Sequence, residues 1–323
     1  MPGSMDGRML RIAFLTVSLF LFAGMSAHAQ QQWEELSRLD APRAGLSVVS
    51  LDGRVYAAGG AGLTAPRMEF ESYDPEIDHW FSETSLPSGL ERFGMAALND
   101  RIYAAGGYAM GDFGVAPSSL MWSWSPEGGV WQSEVAMPGP KADLTLAALD
   151  GQLFAMGGSR DDNSIYVFDP EETAWTTIEA PEGVSRRGAA SVVVGSRIYI
   201  LGGQSSEGSS SRVDIFEPET GIWSRGPDLP EARVGLAAAL YQGQIHIFGG
   251  RGDDQRTTLN SHFSLLPGDE NWNPETDLLS PRTAAGATAL ESGIYVVGGG
   301  SGGGFFAPFT ALDSTDVFTN EDS

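Results

Sequence analysis

"STDVFTNEDS" (residues 314–323) reads as the opening of a repeat unit whose last part is absent. Five times earlier, an aromatic or apolar residue is followed two positions on by Pro and seven positions on by Trp. These pairs are Tyr73 to Trp80, Trp124 to Trp131, Phe168 to Trp175, Phe216 to Trp223 and Leu265 to Trp272. Phe318 starts a sixth copy, and the sequence stops before its Trp. A Trp with no such partner upstream stands near the other end, Trp33 in "QQWEELSRL" (31–39). The two fragments complete one another if the strand around Trp33 pairs with the strand around "TDVF" (315–318).

Working outward from this stretch, the whole chain repeats. Double glycines recur at 59–60, 106–107, 157–158, 202–203, 249–250 and 298–299. A Trp lies 26 or 27 residues before each pair, and an aromatic ring or His lies three residues before it. A fixed period of this size marks a repeat architecture. Each unit divides into four short strands. In the second unit these are "FGMAALN" (93–99), "RIYAAGG" (101–107), "LMWSWS" (120–125) and the segment around Trp131. The links between the first two strands ("LDG", "LND", "LDG", "VGS", "YQG", "ESG") carry two-residue hairpin chemistry. Pro, Asp, Glu and Gly between the last two strands also form turns. The spacing predicts an all-β, six-bladed β-propeller of four-stranded antiparallel blades, its ring closed by the N-terminal strand around Trp33 joining the C-terminal blade. The glycines end strands at positive φ, and the Trp residues fill the gap between blades.

These residues resemble the kelch repeat: Arg, a small-residue strand, "YAAGG", an aromatic-x-Pro turn, then Trp. The resemblance covers about residues 31–319. It implies a kelch propeller, a fold that hosts both binding proteins and a few enzymes. Among the enzymatic relatives, galactose oxidase needs a Cys-linked Tyr for its copper site, and this chain has no Cys. The sialic acid mutarotase (N-acetylneuraminate epimerase) is similar in blade count and in having a leader, but not in its long insertions.

Composition narrows the partners. A net charge of -23 opposes a nucleic-acid ligand. Residues 1–29 read as a signal peptide: Arg8 and Arg11, then the apolar run 12–24, then "AHA" (27–29). Cleavage after Ala29 would leave 30–323 as a single propeller domain, secreted or periplasmic, with no membrane insertion in the mature form.

One face is the candidate binding face. The connections entering each blade hold a basic residue 14 to 16 positions before the double glycine: Arg43, Arg92, Lys141, Arg187, Arg233 and Arg282. Such a ring would focus positive charge on one mouth of the central channel, and Arg suits carboxylates through its planar fork. Any single Arg suits bracing neighbouring blades through carbonyls and ion pairs better than binding, and it is the ring as a whole that would attract a ligand. Loops between the second and third strands add Arg67, Tyr108, Phe113, Phe305 and Phe306, which suit sugars or peptide side chains unless they fold back on the propeller. Paired Asp residues in "SRDDN" (159–163) and "RGDDQ" (251–255) fit no EF-hand spacing, and the four His residues do not cluster in the sequence. No Ser-His-Asp set or phosphate-cradling Gly-rich motif is present. No cofactor or metal is therefore expected. The expected function is a binding module for a protein segment or anionic glycan at the Arg-lined face. A sugar-acid mutarotase is the alternative.

Overall fold

The computed structural model describes residues 32–61, 65–158, 162–254, 256–302 and 310–319. The expected signal peptide, Phe305 and Phe306 lie outside the described residues. Among the described residues the chain is all β, with six four-stranded antiparallel sheets. No helix there is long and apolar enough to cross a membrane. The first sheet runs Ala44–Leu51, Arg54–Ala61, Phe70–Asp74 and His79–Ser82. The second, third, fourth and fifth sheets repeat this order and start at Gly94, Leu144, Ala190 and Ala237. The sixth is assembled from both ends of the described chain: Gly286–Leu290, Gly293–Val297, Thr315–Thr319 and then Gln32–Leu36. The register sets Trp33 opposite Phe318, as Trp80 stands opposite Tyr73 and Trp175 opposite Phe168.

Hairpin chemistry explains the first turn of each sheet. Asp52 and Gly53, Asn99 and Asp100, Asp150 and Gly151, and Gln242 and Gly243 all have positive φ at both central positions. That geometry matches the twist of the flanking strands. At the far end of the second strand the double glycine is sterically required. A Cβ on Gly59 (φ 60°) would sit 2.4 Å from the Leu90 carbonyl oxygen.

The apolar interior lies between neighbouring sheets rather than inside any one of them. Val49, Tyr56 and Phe70 of the first sheet pack with Phe93, Ile102 and Trp124 around the second. Tyr73 and Trp80 of the first pack with Tyr295, Val297 and Val317 of the sixth. The Trp residues fill these gaps and also fasten them. Each of five indole N–H groups donates to a carbonyl in the connection leaving the preceding sheet. The bonds are Trp80 to Ser37 (3.0 Å), Trp131 to Thr84 (3.0 Å), Trp175 to Val135 (2.8 Å), Trp272 to Pro227 (3.1 Å) and Trp33 to Thr276 (2.8 Å). A buried indole needs such a partner.

Three small hairpin elements decorate the side where the second strand passes to the third. Tyr108–Gly111 pairs with Gly114–Pro117 and with Leu90–Glu91. Gln204–Ser205 pairs with Gly208–Ser209, and Gly300–Ser301 with Thr310–Ala311. These sit on the face that the sequence marks as the candidate binding face.

Candidate functional site

Six residues, one per entry connection, form a closed backbone circuit at the centre of this face. The N–H of Arg92 donates to Gly45, Asp143 to Arg92, Gly188 to Asp143, Gly235 to Gly188, Ala284 to Gly235 and Gly45 to Ala284, at 2.7 to 2.9 Å. All six have φ between 53° and 68°, the left-handed region. Three of them are glycines. Arg92, Asp143 and Ala284 hold this conformation with a side chain, at a cost of about 1–2 kcal/mol each. Sparsely populated backbone of this kind concentrates at functional sites. Arg92 and Asp143 are thereby aimed at a cavity of about 150 Å³ lined also by Arg187, Gln204, Val234 and Leu236.

The basic residues separate into two groups according to their offset from the double glycine. At sixteen residues before it stand Arg43, Lys141, Arg186, Arg233 and Arg282, all 0–1% exposed. Each donates to the carbonyl of the first glycine of its own sheet: Gly59 (3.4 Å), Gly157 (3.4 Å), Gly202 (2.5 Å), Gly249 (3.0 Å) and Gly298 (3.5 Å). Most are also neutralised. Arg43 pairs with Glu71, Arg186 with Asp214 at 2.6 Å, Arg282 with Asp316 at 2.6 Å and Lys141 with Asp162 at 3.1 Å. Burial pulls the Arg43, Arg186 and Arg282 guanidiniums below their usual range and Arg233 to about 10. Burial likewise pushes the Glu71 and Asp316 carboxyls up. The expectation that Arg43, Lys141, Arg233 and Arg282 offer charge to a ligand is therefore corrected. These cations satisfy inward-turned carbonyls and buried carboxylates. In the second sheet the apolar Leu90 occupies the corresponding place, fully buried.

Arg92 and Arg187 form the second group. Their side chains are 49% and 32% exposed, and they converge on Asp143, which is 6% exposed. Arg92 Nη1 donates to Asp143 Oδ1 at 2.9 Å. Arg187 donates to Oδ2 through Nε at 3.1 Å and Nη2 at 2.6 Å. Arg187 Nη2 also donates to the Tyr108 hydroxyl at 3.1 Å. The Asp143 partnership raises the Arg187 guanidinium further, so it stays charged. Of the loop residues, Tyr108 thus joins the site. Phe113 stands fully exposed at the tip of the hairpin that Tyr108 begins, with Met110 and Val115 exposed beside it. Arg67 does not line the cavity. It is held by Glu69 at 2.5 and 2.9 Å.

Sequence reading missed two members and one cluster. Arg186 takes the brace position, one residue before the Arg187 that the repeat spacing suggested. Asp143 shares the offset of Arg92, fourteen residues before the double glycine, which was its available signal. The cluster is His246 and His262, whose Nδ1 and Nε2 meet at 2.9 Å between the fifth and sixth sheets. Trp33 and Phe318 pack against His262. His262 Nδ1 must donate to the Thr276 carbonyl at 3.1 Å, so its Nε2 accepts from His246. Burial lowers their pKa values to about 4 for His246 and about 3 for His262. Among the described residues no three His, Asp or Glu side chains gather as a metal site would need.

Comparison with known proteins gives consistent similarities. Residues 188–321 match the family described as the KLHDC2/KLHL20/DRC7 Kelch-repeats domain, and residues 91–138 and 140–180 match the Kelch motif. Kelch-like protein 35 of Mus musculus is 29% identical over 236 residues, covering 71% of this chain and 38% of that protein. Kelch-like protein 23 of Homo sapiens is 30% identical over 186 residues, covering 57% of this chain and 33% of that protein. Kelch-like protein terF of Aspergillus terreus is 25% identical over 244 residues, covering 70% and 53%. The chain thus spans between about a third and a half of the length of the curated relatives it matches. The solved structure of YjhT superposes with a TM-score of 0.75 at 15% identity, over 88% of this chain and 99% of that one. That likeness is one of fold.

Proposed function

Because the chain belongs to the kelch-repeat β-propeller family, typically a protein-interaction module, we propose that it binds a carboxylate-bearing segment of another protein at the mouth built by Arg92, Arg187 and Tyr108. In this reading the six sheets are blades of one ring, closed by the strand Gln32–Leu36. The hydrogen-bond circuit that returns from Ala284 to Gly45 supports the closed ring. The single observation carrying the binding reading is that, of the seven cations fourteen to sixteen residues before the double glycines, only Arg92 and Arg187 are exposed, and both point into the same cavity. The exposed apolar hairpin around Phe113 stands beside it and would cover an apolar neighbour of the bound carboxylate.

The same geometry ranks binding above sugar-acid isomerisation. Asp143 has both oxygens engaged by guanidiniums, which suits an acceptor that orients cations better than a group that shuttles protons. We also propose that the chain is exported. The basic start, apolar run and "AHA" support cleavage after Ala29, and an N-terminal sequence of the protein recovered outside the cytoplasm would begin at Gln30.

The test is an array of short peptides, each with one Asp or Glu among neutral residues, beside an array of acidic and neutral oligosaccharides. The intact chain is expected to retain a subset of the acidic peptides that have an apolar residue near the acid. Arg187→Ala should weaken that retention at least tenfold, and Phe113→Ser about threefold. Retention of acidic glycans alone would transfer the site to carbohydrate. Retention unaffected by Arg187→Ala would remove the mouth from the account.

A further inference from the structure

The mouth holds an acid where an anion site would be expected to hold only bases. Asp143 occupies a left-handed position (φ 58°) in the backbone circuit, where Gly188 and Gly235 stand in the neighbouring connections. Its carboxylate takes one nitrogen of Arg92 and the Nε–Nη2 edge of Arg187. Arg92 Nε and Nη2 and Arg187 Nη1 remain to meet a guest. Tyr108 accepts from Arg187, which leaves its own hydroxyl proton to donate.

The charges around the cavity can be counted. Two guanidiniums, Arg92 and Arg187, against one carboxylate, Asp143, leave one net positive charge in the cavity lining. Without Asp143 the excess would be two.

We propose that Asp143 is a built-in carboxylate that sets the mouth to accept one singly charged carboxylate and to reject doubly charged phosphate. The inference rests on the reading of the mouth as an anion site and adds its selectivity. Asp143 fixes the two forks before a guest arrives, so that less ordering remains to be done on binding. It also cancels the second positive charge that a dianion would need to meet in the mouth. A cavity of about 150 Å³ admits a group of side-chain size, in keeping with one carboxylate and its stem.

The experiment is calorimetric titration of the intact chain with two matched pairs of probes. One pair is N-acetylglutamate amide and N-acetyl-O-phosphoserine amide; the other is glucuronate and glucose 6-phosphate. A phosphate monoester carries about -1.5 to -2 near neutral pH. The chain should bind at least one carboxylate about tenfold tighter than its phosphate partner, and the tighter arm identifies an amino-acid or a sugar source. Asp143→Asn, which keeps the shape and tolerates left-handed backbone, should reverse the preference to about tenfold in favour of phosphate. Asp143→Gly is the second variant, since glycine serves the same circuit position elsewhere. Equal or tighter phosphate binding by the unaltered chain overturns the proposal, as does a preference unchanged in both variants. If carboxylate and phosphate bind equally and Arg187→Ala abolishes both, the mouth stands and the role of Asp143 alone falls. If no probe binds either protein, the anion-site reading falls with it.

Discussion

Arg186 and Arg187 are neighbours in the chain and opposites in chemistry. Arg186 is buried, engages four backbone carbonyls within 3.3 Å beside Asp214, and its guanidinium is weakened by desolvation. Arg187 is a third exposed, points into the cavity and is strengthened by Asp143. One residue of offset therefore decides whether a cation serves the fold or the surface. The repeat explains this. Side chains alternate as the chain enters each sheet, and only one direction meets the carbonyl that the double glycine turns inward. The lesson is that a ring of Arg residues in a repeat protein is not a ring of charge until each has been assigned a direction.

The largest effect expected from this contrast lies on the buried side. Arg282→Met would leave Asp316, 1% exposed, without its cation at 2.6 Å. Stability should fall by about 3–5 kcal/mol in urea unfolding, the usual consequence of stranding a buried charge. A loss below about 1 kcal/mol would mean that the braces are dispensable and the contrast is false.

The second prediction concerns acid. His246 and His262 are neutral in the fold, with pKa values depressed from 6.5 to about 4 and about 3. The unfolded chain takes up their protons below about pH 6.5, and the folded chain refuses them until far lower. Stability is therefore lost as pH falls from about 6.5 towards 4. The loss is roughly 3 kcal/mol for His246 alone, at 1.36 kcal/mol per pH unit. A variant carrying His246→Tyr and His262→Val should show a flatter acid limb in urea midpoints between pH 7 and 4. Tyr stands at the first position in four other repeats, and Val213 at the second in the fourth sheet. Parallel limbs would show that the pair is reached by solvent.

The smallest prediction tests the circuit that separates the two groups. Ala284 holds φ 53° and lines the cavity only with a methyl group, which carries no hydrogen-bonding atom. Ala284→Gly should stabilise the chain by about 0.5 kcal/mol, because relief of left-handed strain slightly exceeds the added freedom of the unfolded chain. A loss of stability would indicate that the circuit prefers a side chain at this position.

The fold was legible because its determinants are local and repeated. Two-residue turns such as Asp52-Gly53, the double glycines and the aromatic-x-Pro-to-Trp spacing each specify a geometry, and six copies remove the ambiguity. Pairing of Trp33 with Phe318 was readable by subtraction, one Trp lacking a partner and one aromatic lacking a Trp. The site was only partly legible. Arg92, Arg187 and Tyr108 were named, but with Arg43, Lys141, Arg233 and Arg282, which the structure buries. Direction depends on which carbonyl a side chain meets sixteen residues on, and composition does not reveal this. Asp143 escaped because an acid in an acidic chain attracts no notice. The His pair escaped because its members are sixteen residues apart and meet only across adjacent strands, His246 in Gln244–Phe248 and His262 in His262–Leu265.

The strand Gln32–Leu36 has a consequence for how the chain comes to be folded. Trp33 and Phe318 are opposite one another and 285 residues apart. The nascent chain presents its first strand long before the ribosome has made the partner. Five sheets form from contiguous segments, while the sixth joins the most distant strands of the described residues and must wait until Thr315–Thr319 has been made. During that interval the indole of Trp33 and the rings of Phe248 and His262 that it later covers lack their mutual shield. The final docking of this strand is expected to be the slow, cooperative step of maturation, and the moment at which aggregation competes most strongly with folding.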